Sequence, residues 1–249
     1  MKTTSLLFAA ALLALVPTAR ASVTETVNKT FPLDRDGTVH LDNVNGNIEI
    51  VAWDKAEVSV EAEKKARNDE DLHRVTIEFD SVPAKLTIKT KYERKGGWFS
   101  NNVDASVRYK LMVPAGAHLQ KIDGVNSDIT VTGVQGPVDL DTVNGRISAA
   151  GLAADARLDS VNGSLSAGFA SLEHVTKVKL DSVNGRTSVT LPKGAGARIA
   201  ADSVNGSVSI DQPVKLGKVR RHSLAGEIGS GGPDISLETV NGSISIKEQ

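Results

Sequence analysis

A ten-residue unit centred on Val-Asn-Gly recurs along this chain: residues 41–50 (LDNVNGNIEI), 122–131 (IDGVNSDITV), 140–149 (LDTVNGRISA), 158–167 (LDSVNGSLSA), 180–189 (LDSVNGRTSV), 201–210 (ADSVNGSVSI) and 237–246 (LETVNGSISI). A degenerate copy, 221–230 (RHSLAGEIGS), lies between the last two. From Asn126 onward the motif centre returns every 16 to 22 residues. Such a near-constant period marks a repeat architecture.

The columns of the unit have physical meaning. Leu or Ile stands four before the Asn in most copies, and Val or Leu directly before it in all of them. After the Gly, aliphatic residues alternate with mostly Ser, Thr, Glu or Asp, which is the period of a strand with one buried face. Leu and Val three apart do not share a face of a straight strand, so a bend or bulge is expected between them. The pairs Asn45-Gly46, Asn144-Gly145, Asn162-Gly163, Asn184-Gly185, Asn205-Gly206 and Asn241-Gly242 then read as structural turns, built from residues that tolerate φ > 0.

This pattern predicts an all-β fold in one of two architectures. The first is a β-solenoid, a single-stranded β-helix of about seven Val-Asn-Gly repeats, with equivalent residues about 4.8 Å apart on successive rungs. The alternative is an antiparallel hairpin meander or sandwich in which Asn-Gly forms two-residue type I′ turns. Hairpins do not require the same residue types before the Asn in copy after copy, whereas stacked rungs do, and this favours the solenoid. An amide ladder along the Asn column would follow from such stacking.

Residues 1–21 read as an export signal, with Lys2, an apolar run over 6–16 and the small-x-small sequence Ala19-Arg20-Ala21. The run is shorter than the roughly 20 apolar residues that span a bilayer. No second apolar stretch follows, so no membrane insertion is expected after signal removal. The expected location is outside the cytoplasm, in the periplasm or at the cell surface. The chain has no cysteine, which removes disulfides and thiolate chemistry. Its 29 basic and 30 acidic residues create no field suited to nucleic acid.

Residues 22–115 lack the period and read as an N-terminal β-rich cap, because a solenoid must cover its terminal rung. Residues 116–249 read as the repeat region. Alternation at Val58-Val60-Ala62, Val75-Ile77-Phe79, Leu86-Ile88 and along 103–113 predicts strands with one wet face. The charged stretch 62–72 reads as a short helix or a solvated loop.

Little in the chain points to catalysis. The five histidines lack metal-ligand spacing, and there is no nucleophile elbow, phosphate loop or zinc motif. No catalytic residue, metal site or cofactor is therefore assigned. Three residues before the Asn stand Asp42, Asp123, Asp141, Asp159, Asp181, Asp202, His222 and Glu238. Stacked rungs would turn this column, above all Asp123, Asp141, Asp159, Asp181 and Asp202, into an acidic ladder whose like charges repel unless compensated. It would then either receive cations or a basic ligand, or bond the turn backbone through its own carboxylates, which is the plainer reading. Trp98 and Phe99, beside Arg94 and Lys95 in a Gly-containing loop, are candidates for stacking on a ligand or for covering the cap.

The repeats LDTVNGRISAAG and LDSVNGSLSA, with IEIVAWDKAEVSVEAE, YKLMVPAG and VTLPKGAGARIAADSVNGSVSI, resemble a bacterial domain-of-unknown-function family of candidate adhesins. The resemblance covers nearly the whole chain beyond residue 21. It implies an exported β-helical protein of the cell envelope with no known catalytic residues. The expected function is a non-enzymatic binding or scaffolding module whose partner is an envelope or surface component, glycan or protein. The alternatives are a polysaccharide-active β-helix enzyme and a self-assembling structural envelope protein.

Overall fold

The computed structural model describes residues 22–93, 103–211, 213–220 and 222–249; the expected export signal and the pair Trp98 and Phe99 lie outside them. The first strands are β1 (Val23–Pro32), β2 (Thr38–Asn45), β3 (Ile48–Trp53) and β4 (Glu57–Ala66), followed by a short helix, α1 (Asp69–His73). Next come β5 (Val75–Val82), β6 (Lys85–Tyr92), β7 (Ala105–Pro114), β8 (His118–Asn126), β9 (Ile129–Thr132), β10 (Val138–Asn144) and β11 (Ile147–Leu152). Then follow β12 (Ala156–Asn162), β13 (Leu165–Phe169), β14 (Lys177–Asn184), β15 (Thr187–Leu191), β16 (Ala197–Asn205) and β17 (Val208–Ile210). The last are β18 (Val214–Arg220), β19 (Ser223–Ile228), β20 (Asp234–Asn241) and β21 (Ile244–Glu248).

The strands form two sheets, both mixed and neither closed on itself. Sheet A runs β1-β4-β7-β3-β9-β11-β13-β15-β21-β17, and sheet B runs β18-β19-β16-β20-β14-β12-β10-β8-β2-β6-β5. Each Val-Asn-Gly unit gives one strand to sheet B, turns at the Asn-Gly corner, and gives the next to sheet A. The corner therefore joins strands of different sheets, not the arms of a hairpin. Within each sheet these strands pair in parallel and in register, so that Leu140 lies beside Leu158, Leu158 beside Leu180, and Leu180 beside Leu237.

The core lies between the sheets. Leu41, Ile122, Leu140, Leu158, Leu180, Leu237 and Ala201 line it from sheet B; Ile48, Ile129, Ile147, Leu165 and Ile244 face them from sheet A, all buried. Each large aliphatic side chain buried this way contributes about 1.5–3 kcal/mol relative to exposure. Tyr109 of sheet A crosses this core and its hydroxyl bonds that of Thr90 in sheet B at 2.7 Å. Burial raises the Tyr109 pKa far above its ordinary value, with the bond to Thr90 opposing.

Three features refine the expected stack. First, the repeats do not stack in sequence order. The coil β20–β21 inserts between β14–β15 and β16–β17, and β2–β3 lies between β6–β7 and β8–β9. Both sheets thus run unbroken across residue 115, and the copy at 41–50 is an inner layer of the stack. Second, the degenerate copy is not a parallel rung. Its strand β19 lies antiparallel to β16 and is followed in the sheet by antiparallel β18. The motif there reads Leu-Ala-Gly, without the Asn and with Ala at its place, so it cannot extend the side-chain ladder of the other corners. Third, residues 57–66 of the N-terminal region are strand throughout, and the helix is confined to Asp69–His73, where the Asn68 side chain accepts from the Asp71 N–H at 2.8 Å.

Candidate functional site

The corners explain why the unit is Val-Asn-Gly. Asn side chains bond from coil to coil: Asn126 donates to Asn45, Asn144 to Asn126, Asn162 to Asn144, Asn184 to Asn162, Asn241 to Asn184 and Asn205 to Asn241, all at 2.7–2.9 Å. Backbone bonds reinforce this ladder, the Gly163 N–H donating to the Asn184 carbonyl at 3.0 Å and the Gly185 N–H to that of Asn241 at 3.1 Å. Beneath it lies a second ladder. Thr142, Ser160, Ser182, Thr239 and Ser203, two residues before each Asn, point inward and donate to carbonyls of the adjoining corner at 2.9–3.4 Å. These hydroxyls are buried and satisfied, which is the condition for polar groups inside a protein.

The Gly column is required by closeness of backbones, not by left-handed backbone. Among the repeat glycines only Gly46 has a positive φ, at 113°. A Cβ on Gly163 would lie 1.7 Å from the Gly145 carbonyl oxygen, one on Gly185 1.9 Å from that of Gly163, and one on Gly242 1.8 Å from that of Gly185. One coil departs from the pattern, with Ser127 in the Gly column. Its partner change is Gly124, which replaces the inward Ser or Thr: a Cβ there would lie 2.5 Å from the Ser127 Cβ. The two departures compensate one another.

On its outer face, sheet B carries two parallel columns. The residue before each Asn, expected to follow a bend, instead continues the strand and faces outward, because the inward place between it and the core aliphatic is taken by Ser or Thr, or by Asn43 and Gly124 in two of the coils. Val125, Val143, Val161, Val183 and Val240 are 38–43% exposed and Val204 64%. Two residues earlier runs the acidic column, in the spatial order Asp42, Asp123, Asp141, Asp159, Asp181, Glu238, Asp202. Together they form a shallow groove from Asp141 to Asp202 with valine along one side. His222 leaves the column: Ser223 pairs with Asp202, while the His222 ring bonds the Gly206 carbonyl at 2.8 Å.

Burial and neighbouring charges act together on the inner members of the acidic column. Burial raises the Asp123 pKa, and the charges of Asp141 and Asp42 push it further. Burial also raises Asp141, with Asp139 adding and Arg157 opposing. Asp159 is raised by burial, against the pull of Arg157 2.8 Å away. Asp181 receives a short charge-assisted bond from Lys179. The cations therefore come from two residues back on the same strand face; the turn backbone is bonded by the inward Ser and Thr instead. Among the described residues no group of three His, Cys, Asp or Glu converges to hold a metal ion.

Fold and surface together define a class: an all-β protein of stacked two-strand coils whose side chains line up in straight columns. The chain belongs to the family described as Toastrack DUF4097, whose pattern matches residues 25–247. Among solved structures it is similar to a candidate cell-adhesion protein from Clostridium sporogenes, at 15% identity over 90% of this chain and 100% of that one, with a TM-score of 0.51. A candidate adhesin from Bacteroides fragilis aligns at 10% identity over 90% of this chain and 97% of that one, with a TM-score of 0.41. No curated protein matches the chain.

Proposed function

We propose that this protein is a non-enzymatic binding or scaffolding module of the cell envelope, a β-solenoid of seven Val-Asn-Gly or Val-Asn-Ser coils that presents the outer face of sheet B. The observation that carries the reading is the unbroken register of three surface columns, acid, valine and asparagine, across seven coils. A surface repeating about every 4.8 Å meets an extended partner with the same groups at each step, and it needs no reactive centre. Placement in the envelope rests on the signal-like residues 1–21, and the adhesion reading on the description of the Clostridium sporogenes protein.

Fractionation of native cells, with protease added to intact cells, tests the location. Digestion on intact cells supports surface adhesion, and arrays of glycans and envelope proteins then identify the partner. Protection together with release into the soluble periplasmic fraction removes adhesion and leaves an internal scaffold. Recovery in the cytoplasm overturns the proposal altogether.

A further inference from the structure

The two ends of the stack are finished differently. At the β1–β5 end the last strands of the two sheets meet: Phe31 of β1 stacks on Phe79 of β5 with ring centroids 5.3 Å apart, and Lys29 lies over the Phe79 ring. At the other end the sheets stop at different places. Sheet A ends at β17, whereas sheet B continues past β16 with β19 and β18. Val208 and Ile210 of β17 are only half-buried. Their counterparts Ile147, Ile244, Val131, Val189 and Ile246 are fully buried.

The edge of β17 is also unpaired on one side among the described strands. The Ser207 carbonyl and the Asp211 N–H engage β21, at 2.9 and 3.0 Å. Strand alternation therefore turns the backbone groups of Val208 and Ile210 the other way. Such an edge is a template for a further strand.

We propose that this end is the joint of a two-fold dimer, in which the overhanging β19–β18 ribbon of each copy fills the strand positions that sheet A of the other lacks. The step is self-complementary. A two-fold axis parallel to the strands exchanges the two layers, so two extra strands on one sheet meet two missing strands on the other. Strand direction also fits. Sheet A strands return against those of sheet B, β19 is antiparallel to β16 and β18 to β19, so β18 of one copy meets β17 of the other antiparallel. The ribbon is paired along its length, from Val214 opposite Ile228 to Arg220 opposite Ser223. Charge agrees too: Lys215 of β18 and Asp211, which follows β17, are exposed and opposite in sign.

A second copy is the occupant because only a matching step fills both sheets at once; a single added peptide would pair β17 and leave β18 open. The joint is isologous and closes on itself, which gives a dimer and not a filament. It also points the two acid–valine faces to opposite sides.

Sedimentation of the purified chain between about 1 and 100 µM, where association shifts by mass action, tests the joint. The expected result is a reversible dimer. Hydrogen exchange over residues 205–211 is expected to slow as dimer forms. The substitution Ile210→Pro removes an N–H directed outward, and edge positions tolerate proline. It is expected to weaken association at least about tenfold with an unchanged far-ultraviolet spectrum. A monomer throughout the range overturns the proposal. So does a dimer whose exchange at 205–211 does not slow, a readout that stands even if Ile210→Pro folds poorly.

Discussion

The parallel coils and the antiparallel layers at either end obey different rules. In the coils a side chain has the same residue type above and below it, so any feature that works once must work at every level. Asn meets Asn, Gly meets Gly, and Ser or Thr reaches a neighbouring corner carbonyl. In the end layers β1, β4 and β5 pair with unlike sequences, Val27 beside Ala62 and Phe79 beside Ile88. Those layers need only alternate apolar and polar residues. Repetition in the sequence is thus the trace of coil stacked on coil; it is absent from β1, β4 and β5, which pair only antiparallel, and from β6 and β7, which join those layers to the parallel strands β2 and β3.

The largest test of this contrast is a methyl group in the Gly column. Gly163→Ala is expected to cost about 4 kcal/mol or more, read by urea unfolding, because its Cβ meets a backbone oxygen that cannot move aside. Gly194→Ala, with φ of 73° and open space around it, is expected to cost only about 1–2 kcal/mol. Equal losses would break the claim that contact between coils, not local backbone freedom, selects glycine.

Next in size is the compensated coil. Gly124→Ser alone should lose about 2 kcal/mol through overpacking against Ser127. Combined with Ser127→Gly it should recover most of that, a coupling above about 1 kcal/mol in the double-mutant cycle. Additive effects would show the two departures to be independent.

A smaller gain is expected at Thr187, which occupies a core position held by Ile147, Leu165 and Ile244 in neighbouring coils. Its buried hydroxyl has no hydrogen-bond partner. Thr187→Val should raise stability by about 1 kcal/mol, measured as a rise in the urea midpoint without a change of slope.

The smallest effect separates the acids of the sheet B column from Asp155, in the loop between β11 and β12, by pH. Asp123, Asp141 and Asp159 have raised pKa values, so the folded chain takes up their protons at higher pH than the unfolded one does. Their destabilising contribution therefore disappears as pH falls from neutral through the folded values. Asp155 is the reverse. Burial alone would raise it, but bonds from Lys177 and Thr176 prevail and lower it. Its stabilisation is present above the unfolded value and is lost as pH falls through the folded one. Unfolding free energy should thus rise on mild acidification and then decline. Asp123→Asn should add about 0.5 kcal/mol at neutral pH, kept small by solvent screening, and flatten the rise.

Much of the architecture was legible in the columns. The Leu column, the alternation after Gly and the Asn ladder all follow from one period, and the strands around Val58, Val75 and Leu86 from simple alternation. The face of the valines was not legible, because aliphatic type suggests burial and only the hydroxyl bonds of Ser160 and its equivalents show which residue turns inward. The reason for glycine was hidden likewise: closeness between coils is a property of two distant segments. Order in space was beyond reach for the same reason, since near-identical units such as 180–189 and 237–246 can neighbour one another without penalty. Of the candidate surface, the acidic column could be placed from spacing alone, but its pairing with an exposed valine stripe could not.

The insertion of β20–β21 between β14–β15 and β16–β17 sets a timetable for folding. A chain whose layers were added in order could finish each one as it emerged from the ribosome. Here the strands at 197–210 have no parallel partner until residues 234–248 arrive. The chain must hold an open place beside β14–β15, then fill it with β20–β21. Completion of that half of the stack therefore waits on a strand pair distant in sequence. Loss of residues 234–248 would remove an inner layer and leave the β16–β17 coil stranded.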